Sequence, residues 1–282
     1  MKLKFKIEQD QSLRDFIAER DISDKLLSAV KTKGDMRVNG AHVTIRSLLR
    51  KNDVLEIVFP KEERGKQLTP AKMELDIVYE DDYLLVVNKP AMMPCIPDHR
   101  YHDQTLANGL IAYYESIGLD STIHFVNRLD RETSGLLIVA KYRYIHYLLS
   151  KAHIERKYVA LAYGHIVDQK IDLPIARINK NVRREILPIG KPSVTHCHVL
   201  KQGENFSVVE CQLETGRTHQ IRVHFSAVGH PLIGDRLYGN IKNLADTYFL
   251  HSYQLSFIHP IKKVTLRFVR ERKIGETYFC NV

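Results

Sequence analysis

The chain has 282 residues, 42 of them Lys or Arg and 33 Asp or Glu, a formal surplus of nine positive charges, with 44% hydrophobic and 27% charged residues. These proportions fit one large domain, or one domain plus a small module, and exclude a disordered chain, a collagen and a disulfide-knit mini-protein. The basic surplus favours a polyanionic partner, nucleic acid first and an anionic membrane surface second.

Residues 1–60 read as a small α/β module. Ser12 is placed to cap a short helix carrying Leu13, Phe16 and Ile17, and Ser23 a second with Leu26, Leu27 and Val30, closed by Gly34. Residues 36–40 read as a strand entering an Asn-Gly turn, and residues 53–59 alternate like a last strand. Residues 61–74, charged, with Pro60 just before them and Pro70 among them, read as a linker. The Lys-rich N-terminus lacks the apolar core and cleavage site of a signal peptide. No apolar run approaches the ~18–20 residues that span a bilayer, so a cytoplasmic protein is expected. Residues 1–64 hold 14 basic and 11 acidic residues, so the basic excess is spread along the chain.

From residue 75 to 282 the pattern is strand-rich. Residues 75–79 and 83–88 flank Asp81-Asp82 as a hairpin, and 105–117 have helical spacing up to Gly118. Residues 135–141 read as a buried strand with a helix after it, through Leu148. Residues 157–163, 193–200 and 206–213 read as strands. Thr218 reads as the cap of a helix through Ala227, and 249–250, 254–257 and 264–268 as late strands. Many strands with few helices predict an α+β fold on a mostly antiparallel sheet. Cys95, Cys197, Cys211 and Cys280 are widely spaced without C-x-x-C, which reads as reduced, partly buried thiols.

Three segments are candidates for chemistry. Asn127-Arg-Leu-Asp-Arg-Glu-Thr-Ser-Gly135 leads into the buried strand and sets Asp130 between Arg128 and Arg131. Nearby cations favour the ionised carboxylate that a nucleophile needs; the same residues also suit a salt-bridged turn. Thr215-Gly-Arg-Thr-His-Gln-Ile-Arg-Val-His224 places His219 and Arg222 three apart, on one face of a helix begun near Thr218. An arginine fork matches a carboxylate, while the histidines read as core or phosphate-contacting groups. Lys157-Tyr-Val-Ala160 puts Tyr158 on a strand, where it either fills core or stacks on a base. No G-x-S-x-G elbow occurs. The H-x-E and P-C-x-x-C patterns of zinc deaminases are missing too. Only one carboxylate, Asp130, is a convincing candidate, where a glycosidase needs two.

Together these segments resemble the pseudouridine synthases of the RluA/RluD type. Arg128-Leu-Asp-Arg-Glu-Thr-Ser-Gly135 looks like the family's catalytic-Asp motif, Lys157-Tyr-Val-Ala160 like its tyrosine motif and Thr215-Gly-Arg-Thr-His-Gln-Ile-Arg222 like its third motif. The resemblance continues in Tyr79-Glu-Asp-Asp-Tyr-Leu-Leu-Val-Val-Asn-Lys-Pro90, Gly229-His-Pro-Leu-Ile-Gly-Asp235 and Leu250-His-Ser-Tyr-Gln-Leu-Ser-Phe257. Residues 1–60 resemble an S4-like RNA-binding domain through Gly34-Asp-Met-Arg-Val-Asn-Gly40 and Asn52-Asp-Val-Leu55. Two departures stand out: Asn127 replaces the usual His before Arg-Leu-Asp, and Ala91-Met-Met-Pro94 replaces a small-residue turn.

The resemblance implies isomerisation of uridine to pseudouridine in RNA, large-subunit ribosomal RNA first and transfer RNA second, with no cofactor and no metal. It implies Asp130 as the essential carboxylate, attacking C1′ or C6 or deprotonating C2′, with Arg222 paired to it. It makes Tyr158 the ring that stacks on the flipped uracil and helps proton transfer at C5. Ile221 becomes an apolar wall, and Arg128 the side chain that fills the gap in the RNA stack. Arg37 and Arg46 would hold phosphates from the S4-like module. A monomer with no membrane association and no obligate protein partner is expected. The competing reading is a non-catalytic RNA-binding or ribosome-assembly factor working through residues 1–60.

Overall fold

The structure, a computed structural model, describes residues 1–62, 68–179, 181–239, 245 and 247–271. Cys280 and part of the expected linker lie outside them.

The first elements are β1 (Lys2–Lys6), β2 (Gln11–Ser12), α1 (Leu13–Ala18), α2 (Asp24–Lys33), β3 (Asp35–Val38), β4 (Ala41–His42), β5 (Leu48–Leu49) and β6 (Val54–Val58). They form an antiparallel sheet in the order β1-β6-β3-β4, with β2 and β5 paired separately. Ser12 accepts from the Asp15 N–H and Ser23 from the Leu26 N–H, as the sequence predicts for the two caps. Asn39 (φ 51°) and Gly40 (φ 87°) take the left-handed pair of values that a tight β3–β4 hairpin requires. The sequence reading passed over β1, although Leu3 is buried between exposed lysines.

The remaining elements are β7 (Asp76–Glu80), β8 (Leu84–Lys89), α3 (Leu106–Ser116), β9 (His124–Phe125), β10 (Ser134–Ala140), α4 (Arg143–Lys151), β11 (Ile154–Tyr163), β12 (Gln169–Asp172), β13 (Ile175–Ala176), β14 (Glu185–Ile186), β15 (Val194–Gln202), β16 (Phe206–Leu213), α5 (Gln220–Ala227), β17 (Leu250–Ile258) and β18 (Thr265–Val269). A ten-stranded sheet runs β12-β15-β16-β11-β17-β10-β8-β7, with β18 added to β17 and β9 to β10; β13 and β14 form a separate hairpin. Among the described residues its one parallel pairing joins β10 to β17 through Ser134–His251 and Gly135–Ser252. Gly135 is required there: its φ is 110°, and a Cβ would lie 2.2 Å from the Ser252 carbonyl oxygen. The mixed, mostly antiparallel sheet with few helices is the α+β architecture that the strand pattern predicts.

Every residue of β10 is buried because both faces of the sheet are covered. Leu137 and Val139 face α3 and the cluster that includes Leu85, Leu110, Tyr158 and Ile221. Leu136, Ile138 and Ala140 face a second cluster, continuous from α4 into the N-terminal module through Leu3, Leu13, Phe16, Leu55 and Ile57. Phe59 stacks on Tyr144 at 5.2 Å, and the Tyr144 hydroxyl donates to the Arg20 carbonyl at 2.7 Å. Glu62 accepts from the Arg143 N–H at 2.7 Å and pairs with His124 at 2.6 Å. It thereby supplies the N-terminal acceptor that the α4 cap residue Tyr142 does not.

Two expectations are corrected. The late strands at 249–250 and 254–257 are one strand, β17. Thr218 does not cap α5: the cap position is His219, left-handed at φ 60° and without a side-chain cap bond. The turn is held instead by Gln220. Its Oε1 accepts from the Thr215 hydroxyl (2.8 Å) and the Arg217 N–H (2.9 Å), and its Nε2 donates to the Val194 carbonyl and Thr195 Oγ1. No helix among the described residues is long and apolar enough to cross a membrane.

Candidate active site

The segment carrying Asp130 is pinned at three points just before β10. Asn127 Oδ1 accepts from the Ile138 N–H at 2.9 Å. The Cys95 thiol donates to the Leu129 carbonyl at 3.2 Å. Lys89, fully buried at the end of β8, donates from Nζ to the carbonyls of Pro90 (2.8 Å), Met93 (2.7 Å) and Arg131 (3.2 Å). Burial pushes the Lys89 ammonium down to about 8, with the Cys95 thiol and Asp130 opposing the shift. The sequence reading assigned Lys89 no role; its signal was a lone charge closing an apolar strand.

Asp130 is partly exposed and meets two groups from the 215–222 segment. Arg222 Nη1 donates to Oδ2 at 3.3 Å, and His219 Nε2 lies 3.7 Å from Oδ1. The stronger attachment of Arg222 is to Asp235: Nε donates to Oδ2 at 2.7 Å and Nη2 to Oδ1 at 2.8 Å, a bidentate pair with the carboxylate wholly buried. The guanidinium also lies over Tyr248 at 4.4 Å and Tyr238 at 5.0 Å. Burial alone would weaken the Arg222 charge, but Asp235, Tyr248 and Asp130 raise its pKa. Arg222 is therefore a fixed cation held by Asp235 that offers its remaining nitrogen to Asp130. Asp235 received no role from the sequence, because 13 residues and a turn separate it from its partner.

Tyr158, on β11, is 6% exposed, and burial raises its hydroxyl pKa. Ile221 is 3% exposed on the first turn of α5. Both line, with Asp130, His219 and Arg222, a cavity of about 590 Å³ whose wall also carries Asn127, Arg128, Arg131, Arg156 and Arg217. The size suits a small ligand or a single flipped nucleotide. Arg128 is exposed and makes no hydrogen bond or ion pair with a described residue. The structure thus places Asp130, Tyr158, Ile221, Arg222 and Arg128 around one cavity. It also adds His219, whose Nδ1 meets the Tyr238 hydroxyl at 2.8 Å. Burial, with Asp130 opposing, lowers the His219 pKa. Among the described residues no three His, Cys, Asp or Glu side chains are arranged to hold a metal ion.

His224 anchors the far side of α5. Fully buried, it contacts the Leu173 carbonyl through Nε2 and the Thr195 hydroxyl through Nδ1, both at 3.0 Å. Desolvation lowers its pKa against the opposing pull of Leu173 and Asp172. The unfolded chain therefore takes up a proton near pH ~6.5 that folded His224 refuses. Its contribution to stability is complete above that pH and is lost as pH falls through the lower folded value. Melting temperature should decline from pH 7 to pH 5, and the slope should be shallower in His224→Gln; parallel profiles for the two proteins would contradict this assignment.

Residues 83–227 match the family model described as RNA pseudouridylate synthase. The RNA pseudouridine synthase YjbO of Bacillus subtilis strain 168 is 40% identical over 265 residues, covering 91% of this chain and 94% of the relative. The ribosomal large subunit pseudouridine synthase D of Neisseria meningitidis serogroup A is 36% identical over 267 residues, covering 88% and 71%. Among solved structures, human RNA pseudouridylate synthase domain containing 1 superposes with a TM-score of 0.60 at 28% identity, covering 73% of this chain and 86% of that one.

Proposed function

Since the chain belongs to the RNA pseudouridylate synthase family and is an RNA pseudouridine synthase, we propose that it isomerises a specific uridine swung out of structured RNA, with Asp130 as the reacting carboxylate. The observation that carries this is the joining of Asp130, its cation Arg222 and the near-buried Tyr158 and Ile221 on one cavity. The N1–C1′ bond of the uridine breaks, the uracil turns and a C5–C1′ bond forms. C5 loses its proton and N1 gains one, so the reaction has no net redox change. Arg222 directs one oxygen of Asp130, because its other two nitrogens are held by Asp235. Tyr158 supplies the ring on which the uracil stacks, with a hydroxyl that stays protonated and lies beside the proton transfer at C5. Ile221 closes the apolar side of the base. Arg128, exposed at the rim and unpaired among the described residues, takes the place that the uridine leaves in the RNA stack.

The substrate is large-subunit ribosomal RNA, by analogy with relatives named for that RNA, and the enzyme acts in the cytoplasm as a monomer. Residues 1–60 form an S4-like RNA-binding module joined to a catalytic domain of residues 75–282. Within that module Arg37 is already engaged, its Nε 2.6 Å from Asp35. The exposed Arg46 is the better phosphate contact. Deleting the module is a poor test, because its core continues into that of the large sheet. Arg46→Glu should instead weaken RNA affinity by about tenfold at low salt, an effect that added salt removes; equal affinity in a filter-binding titration would exclude the contact.

The activity itself is tested by tritium release from RNA carrying 5-tritiated uridine, incubated with the purified protein. Release with a matching gain of pseudouridine is the expected result. Stable RNA binding without release would favour the assembly-factor reading.

A further inference from the structure

Arg156 lies two residues before Tyr158 on β11, so the two side chains share a face of the sheet, and both line the active-site cavity. The neighbouring cavity arginines have partners. Arg131 donates to Tyr101 and Glu132, Arg217 to the Pro192 carbonyl, and Arg222 to two carboxylates. Arg156 makes no hydrogen bond or ion pair with any described residue, and its Nε is closed off from solvent without an acceptor. Unlike Arg128, which extends into solvent, Arg156 is half-buried. Its guanidinium is seated against Gly216, where an added Cβ would come within 2.6 Å of Nη1. The missing side chain at Gly216 leaves the room that Arg156 occupies, and Gln220 holds the adjoining Thr215 and Arg217 in place.

A half-buried cation with an orphaned donor is costly in the empty site and favourable once an anion arrives. The anion that accompanies a flipped nucleotide is its own phosphodiester. A uracil carbonyl would satisfy a hydrogen bond but leave the formal charge unmatched, whereas a phosphate oxygen pair matches both the charge and the fork. We propose that Arg156 grips the phosphodiester next to the flipped uridine, with Gly216 keeping its seat open. This rests on the reading that the uridine enters the cavity at Asp130.

The test uses a synthetic stem–loop RNA built around the uridine identified by pseudouridine mapping, bound by the full-length protein across a salt series. Arg156→Ala should weaken binding and reduce the slope of log affinity against log salt by about 0.7, the share of one phosphate on a single strand. Arg156→Lys should keep the slope. Replacing the phosphate beside the uridine with a neutral methylphosphonate should weaken the wild type but not further weaken Arg156→Ala. The melting temperature of Arg156→Ala should equal or exceed that of the wild type, since no partner is lost. An unchanged salt slope overturns the proposal, whether it comes with lost kcat (a contact to the base) or with a lower melting temperature (a packing role). An equal methylphosphonate penalty in wild type and variant overturns it too. Absence of wild-type turnover would remove the catalytic reading, while wild-type turnover with an unchanged slope in Arg156→Ala removes this inference alone.

Discussion

Asp130→Asn is expected to lower kcat for pseudouridine formation by at least about a thousandfold, equivalent to roughly 4 kcal/mol of transition-state stabilisation, while RNA affinity stays within a few-fold. The amide preserves size and can still accept from Arg222 Nη1, which lies 3.3 Å from Oδ2. It removes the charge, and with it any capacity to attack carbon or accept a proton. Arg222 stays charged and in position because Asp235 holds it from the other side. The fold should therefore be unaffected. Single-turnover tritium release together with filter binding separates the two quantities. Turnover within tenfold of the wild type would remove Asp130 from the reacting role.

The next largest effect is expected at Asp235. Asp235→Ala leaves a buried guanidinium with a single, longer contact to Asp130. Breaking one side of a buried pair typically costs about 3–5 kcal/mol, which corresponds to a fall in melting temperature of roughly 6–20 °C. Asp235 also accepts from the backbone N–H groups of Leu237 (3.0 Å) and Tyr238 (3.2 Å), so the turn over the cavity should loosen as well. Arg222, freed from its fork, is then expected to engage Asp130 with two nitrogens and blunt it, so kcat falls beyond what the loss of stability explains. The double variant Arg222→Met with Asp235→Leu separates the effects. Removing both charges should recover much of the melting temperature while turnover stays lost. An Asp235→Ala protein as stable and as active as the wild type would show that Asp130, not Asp235, is what holds Arg222.

Local signals carried much of the fold. Ser12, Ser23 and Thr105 sit where short polar side chains meet free helix N–H groups, and each caps its helix. Asn39-Gly40 fixed a hairpin because few other pairs accept two left-handed residues. The unbroken apolar run of β10 announced a strand covered on both faces. The features that escaped depend on partners distant in the chain. The start of α5 is set by Gln220 reaching Val194 and Thr195 on β15, which no helix-capping rule contains. The Arg222–Asp235 pair and the reach of Lys89 to the Arg131 carbonyl each depend on segments that the fold brings together, whereas Asp35 engages Arg37 locally, two residues back on β3. At the site, residues from separate motifs meet on one cavity, and the fold gives them different surroundings. One carboxylate is partly exposed beside the cavity and another is buried behind it, with one arginine shared between them. The surplus of nine positive charges is likewise not one patch; around the cavity it resolves into arginines with partners and two, Arg128 and Arg156, that have none among the described residues.

The most direct test of Asp130 as the reacting carboxylate is a map of pseudouridines in RNA from cells lacking this protein, repeated after complementation with the wild type and with Asp130→Asn. A small set of uridines, in large-subunit ribosomal RNA, is expected to lose modification on deletion. The wild type should restore them and Asp130→Asn should not. Restoration of the same uridines by Asp130→Asn would contradict that role.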